Sequence, residues 1–141
     1  MKQRIMTLAA VLAATFVAAA PVFAADTYEP NNSFETAAAL PYNAYINSYV
    51  STSADVDYFK VYGGRLTAFE LVNPEGADYD IYLYDTNFNL VSSSETTEQR
   101  EAVGYYVPTY GNTYYVKVVG KNGAYDPDRP YVLRQIYNLY Y

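Results

Sequence analysis

The sequence predicts a single all-β domain, an antiparallel sandwich or a barrel, and three observations carry that expectation. Nineteen tyrosines occur in 141 residues, most of them in runs where apolar and polar residues alternate. Tyrosine suits a pleated, half-buried surface, and period-two alternation marks a strand with one buried face. Turn-forming clusters punctuate the runs at short intervals, among them Gly63-Gly64, Asn73-Pro74-Glu75-Gly76, Asp85-Thr86-Asn87 and Lys121-Asn122-Gly123. No segment has the length and period of a crossover helix, so a parallel sheet is excluded.

The first residues read as a targeting segment. Met1-Lys2-Gln3-Arg4 is a short basic start, followed by an apolar run over 5–20 and then Pro21-Val22-Phe23-Ala24. Val22 and Ala24 suit signal peptidase, which places a signal peptide over 1–24 and one domain over 25–141. The run is shorter than the roughly 20 residues that span a bilayer. Acidic Asp26 and Glu29 follow it rather than basic anchors. The expectation is therefore an exported protein, periplasmic or extracellular, with no membrane insertion after cleavage.

Next comes one short helix over 33–40. Asn32 is its expected cap, Glu35 reaches back in a capping box, and Pro41 stops it. Eight strands are expected beyond it, over 45–50, 57–62, 66–72, 79–84, 89–92, 102–107, 114–119 and 131–137.

Composition removes whole classes of function. The chain has no histidine and no cysteine. Ser-His-Asp and Cys-His catalysis, the usual zinc sites and disulfides are all excluded. A net charge of −6, from 15 acidic against 9 basic residues, argues against nucleic acid as a partner. Carboxylate pairs remain at Asp55/Asp57, Asp78/Asp80 and Asp126/Asp128, and such pairs could run a small glycosidase. In loops and where strands begin, however, aspartate most often bonds neighbouring backbone, so the expectation is a non-enzyme. A purely structural envelope protein is the other alternative.

Two constellations could bind. Tyr105, Tyr106, Tyr110, Tyr114 and Tyr115 lie close in sequence and are the candidate ligand-binding surface, set against the plainer role of pairing across strands. Glu29, Asn31, Asn32, Asp55 and Asp57 form an oxygen-rich set suited to calcium. Spacing alone favours capping and turn roles for these five.

The blocks Tyr28-Glu29-Pro30-Asn31-Asn32-Ser33-Phe34-Glu35-Thr36-Ala37 and Ser53-Ala54-Asp55-Val56-Asp57-Tyr58-Phe59 resemble the opening of the bacterial pre-peptidase C-terminal domain family. The resemblance continues through Asp78-Tyr79-Asp80-Ile81-Tyr82-Leu83-Tyr84-Asp85, Tyr114-Tyr115-Val116-Lys117-Val118 and Tyr131-Val132-Leu133. It implies a jelly-roll β-sandwich with no catalytic role, accessory to exported proteases, here as a stand-alone copy. It also implies a secreted protease, an extracellular protein or a polysaccharide as partner. Some members hold calcium through the Glu-Pro-Asn segment and the Asp-x-Asp loop, which implies Ca2+ at Glu29, Asn31, Asn32, Asp55 and Asp57. Asn32 stands where members often carry aspartate, and one negative charge fewer weakens such a site.

Overall fold

The computed structural model describes residues 26–108 and 111–139. The expected signal peptide and Tyr110 lie outside the described residues. Nine strands form among the described residues: β1 Ala38–Ala39, β2 Tyr45–Ser48, β3 Val56–Gly63, β4 Leu66–Val72, β5 Tyr79–Tyr84, β6 Leu90–Ser94, β7 Arg100–Tyr106, β8 Asn112–Gly120 and β9 Tyr131–Leu139. One sheet has the order β1-β3-β8-β5-β6 and the other β2-β9-β4-β7. Leaving β1 aside, the strands from β2 to β9 pair within two four-stranded layers in the order of a jelly roll, and every such pair is antiparallel.

Alternation along each strand sets which face is buried. In β3, Asp57, Phe59 and Val61 are buried, while Tyr58, Lys60 and Tyr62 are not. Tyr114, Val116 and Val118 of β8 and Tyr79, Ile81 and Leu83 of β5 continue the inner face of that sheet. Phe69 and Leu71 of β4, Val103 of β7, and Tyr131 and Leu133 of β9 meet them from the other. These side chains form one core between the layers.

The expected helix over 33–40 does not form. Residues 34–36 make a single turn, and the chain then runs into β1, which pairs in parallel with Phe59 and Lys60 of β3. Competition for hydrogen bonds explains the difference. Ser33 Oγ accepts from the Thr36 N–H, Thr36 Oγ1 accepts from the Ser33 N–H, and the Leu40 N–H bonds the Lys60 carbonyl. Asn32, the expected cap, is held by Glu29 and Val56 instead. A helix of this length is marginal even with three alanines, and an open sheet edge outcompetes it.

Phe59 has no exposed surface and sits at the centre of the core. Phe59→Ala is expected to lower unfolding free energy by about 3–5 kcal/mol, read from urea denaturation midpoints. A loss below about 1 kcal/mol would mean that this core is loosely packed.

Candidate functional site

Where β3 begins, four acidic residues from separate segments converge. Asp26 and Glu29 come from the strand-free N-terminal stretch, Asp55 from the turn before β3, and Asp57 from β3 itself. Glu29, Asp55 and Asp57 each place a carboxylate oxygen so that all three lie within 4.8 Å of one another. Asp57 has no exposed surface. Its Oδ2 accepts a 2.5 Å hydrogen bond from the Tyr131 hydroxyl of β9, in the opposite sheet. Its Oδ1 has no hydrogen-bond partner.

The surrounding bonds hold this arrangement. Asp26 caps Tyr28 through one oxygen, and through the other accepts from Ser48 Oγ at 2.5 Å and the Tyr49 N–H at 2.9 Å. Asp55 Oδ2 accepts from the Ser51 N–H at 2.6 Å. Glu29 Oε2 accepts from the Asn31 N–H and from Asn32 Nδ2. The Tyr58 N–H bonds the Asn31 carbonyl at 2.8 Å, which docks the N-terminal stretch on β3. None of the four acids pairs with a described lysine or arginine.

Burial without a counter-charge sets the electrostatics. Desolvation pushes Asp57 up to about 8, and the nearby Asp55, Asp26 and Glu29 push it the same way, against the Tyr131 hydrogen bond. Desolvation also raises Glu29, partly offset by the Asn31 N–H. Tyr131 is driven well above its ordinary value, first by burial and then by Asp57.

The donor set fits a hard cation. Carboxylates and an amide oxygen are calcium's preferred ligands, and the chain offers no histidine or cysteine for a softer metal. Asn31 is fully buried with neither side-chain atom hydrogen-bonded, and Asp57 Oδ1 is orphaned in the same way. Glu29, Asn31, Asp55 and Asp57 are therefore the residues able to hold the ion. Asn32 is differently placed. Its amide donates to Glu29 and its Oδ1 accepts from the Val56 N–H at 3.2 Å, so it braces the site. Sequence reasoning overlooked Asp26, whose signal was a lone acidic residue three positions before Glu29.

The other candidates separate in space. Tyr114 is buried in the core, and Tyr105 packs on it at 6.4 Å between ring centroids. Tyr106 is exposed on the opposite sheet beneath Arg65. Tyr115 joins an aromatic cluster that sequence reasoning missed. Phe34 is its hub, with ring centroids 4.7 Å from Tyr58, 5.1 Å from Tyr84, 4.6 Å from Phe88 and 5.5 Å from Tyr115. Lys117 extends the surface between Tyr58 and Tyr82. Phe88 is 48% exposed at the tip of the Asp85–Asn89 turn, with φ of 62°, a conformation uncommon for a bulky side chain. Asp126 of the third carboxylate pair is engaged by Arg129 at 2.6 Å.

No family model matches the sequence. Among solved structures, the pre-peptidase C-terminal domain of a collagenase from Bacillus anthracis is similar, with a TM-score of 0.50 and 15% identity over 69% of this chain and 90% of that chain. The chain has the fold of a pre-peptidase C-terminal domain.

Asp57 gives the cation-free protein a defined pH dependence. Between the ordinary aspartate value near 4 and its native value near 8, the folded state binds the proton more tightly than the unfolded chain. This contribution is therefore full below about pH 4 and lost as pH rises through about 8. In chelator, the urea midpoint is expected to fall from about pH 5 to about pH 8.5, and Asp57→Asn should flatten the decline. A slope that persists unchanged in Asp57→Asn would move its origin elsewhere.

Proposed function

We propose that the protein is an exported, non-catalytic accessory module that works by binding, and that calcium held by Glu29, Asn31, Asp55 and Asp57 stabilises it. The observation that carries the metal is the pair of fully buried residues, Asn31 and Asp57, whose Oδ1 atoms lack hydrogen-bond partners beside Asp26, Glu29 and Asp55. When bound, the ion would supply the positive charge that Asp26, Glu29, Asp55 and Asp57 lack among the described residues. It would then tie the N-terminal stretch to β3.

The non-catalytic reading rests on how the carboxylates are used. Asp57 and Asp80 are buried, Asp55 bonds backbone, and Asp126 is held by Arg129. A glycosidase needs two carboxylates facing a substrate across a cleft. Binding falls instead to the Phe34–Tyr58–Tyr84–Phe88–Tyr115 surface, where aromatic faces and hydroxyls suit an extracellular protein or a polysaccharide.

Thermal unfolding tests the metal. At calcium a hundredfold above its dissociation constant, linkage contributes about 2.7 kcal/mol and should raise the midpoint by about 10 °C over chelator. Asp55→Ala should abolish the rise. An equal midpoint in calcium and chelator would overturn the calcium reading.

Co-sedimentation with insoluble polysaccharide and with fibrous protein tests the surface. Phe88→Ala is expected to weaken retention on whichever support binds by about tenfold, as for an aromatic hot spot. Undiminished retention would place the binding surface elsewhere.

A further inference from the structure

We propose a second hard-cation site, built from Asp78, Asp80 and Glu101 where β5, the β6–β7 connection and β7 meet, and taking a divalent ion of the calcium class. The residues come from both sheets. Asp78 and Asp80 flank Tyr79 at the start of β5, so alternation turns both away from the core position that Tyr79 fills. Glu101 lies on β7 of the other sheet and shares the buried side of that strand with Val103. Each residue offers a carboxylate oxygen, and the three oxygens lie within 4.8 Å of one another.

Orphaned atoms are the independent observation. Asp80 is 6% exposed and Glu101 2%. Glu101 Oε1 accepts from the Thr96 hydroxyl at 2.7 Å, but its Oε2 has no hydrogen-bond partner. Asp78 Oδ1 and Asp80 Oδ1 share that condition. An ionised carboxylate only accepts, so a buried oxygen without a donor calls for a cation.

The resident cation is too little for the cluster. Lys121 Nζ lies 3.7 Å from Asp80 Oδ1 and also donates to the Glu95 and Thr96 carbonyls. Three carboxylates against one ammonium leave two negative charges, which one divalent ion would balance. Burial raises Asp80 and Lys121 opposes the rise, while Glu101 and Asp78 reinforce it. All the donors are oxygens, and two of the three residues are nearly dry, which suits calcium better than a magnesium ion that retains several waters. Asp78 also lines an open cavity of about 540 Å3 with Pro74, Glu75, Gly76, Ala77, Thr97 and Gln99.

The test counts calcium ions per folded chain by equilibrium dialysis, with tyrosine near-ultraviolet circular dichroism to verify folding. The unaltered chain is expected to bind two, and Glu101→Gln and Asp55→Asn one each. If the first centre fails but this one stands, the unaltered chain binds one ion, which Glu101→Gln loses and Asp55→Asn keeps. Lys121→Gln removes the competing ammonium and should tighten the second ion by about tenfold. It carries the test alone if Glu101→Gln does not fold. The proposal is overturned if folded Glu101→Gln binds as many ions as the unaltered chain. It is equally overturned if Lys121→Gln lowers the thermal midpoint alike in calcium and chelator with no gain in calcium affinity.

Discussion

The hydrogen bond from Tyr131 to Asp57 joins the two sheets at a point where neither partner sees solvent. Asp57 occupies the first inward position of β3, where alternation would ordinarily place an aliphatic side chain. A carboxylate there is costly unless it is protonated, hydrogen-bonded or matched by a cation. One of its oxygens has the tyrosine and the other has nothing. The packing of the N-terminal stretch, the convergence of Asp26, Glu29 and Asp55, and the raised proton affinity of the group all bear on how that second oxygen is satisfied.

The same end of the sandwich carries the second acidic cluster. β3 and β5 both run antiparallel to β8, so they begin on the same side, and Val56, Val119 and Asp80 fall in one cross-strand row. Two strand spacings, about 9–10 Å, separate the starts of β3 and β5. Carboxylates gathered this closely repel one another as pH rises, and the repulsion is poorly screened where they are buried. Lys121, just beyond β8, offsets part of this on one side. On the other side, no described lysine or arginine pairs with the acids. Burial is the main reason Asp57 is displaced so far, and its acidic neighbours add to it with no cation to oppose them, whereas Asp80 feels an opposing ammonium.

Much of this architecture was legible in the residues. The runs over 66–72 and 79–84 match β4 and β5 end for end, because turn-forming clusters bound each run on both sides. The helix over 33–40 failed because its evidence was local, while the bonds that decide the segment, from Asn32 to Val56 and from Leu40 to Lys60, join positions 20 or more residues apart. The first acidic cluster was visible as two motifs whose meeting no spacing could show. Glu101 was invisible for a related reason: an isolated glutamate in a strand reads as solvent-facing, and its burial appears when β7 is folded over β5. The tyrosine group failed through alternation itself, since neighbours such as Tyr105 and Tyr106 must point to opposite faces.

A sandwich with no cysteine has no disulfide between its layers, and its core must resist sliding by packing and by non-covalent contacts such as the Tyr131–Asp57 hydrogen bond. Both acidic clusters lie where a tie would act. One reaches from β3 to β9 through Asp57 and Tyr131, the other from β5 to β7 through Asp80 and Glu101. On the proposed reading, the second ion would join the sheets as a disulfide does and the first would tie the N-terminal stretch to β3, both reversibly and in proportion to free calcium. Carboxylates positioned for an ion also weaken the fold in its absence, because their repulsion is then uncompensated. Stability would therefore depend on the calcium around the protein, high where the ion is abundant and low where it is scarce. That dependence follows from placing acids rather than aliphatics at the first turns of the strands, and it needs no motion of the sheets.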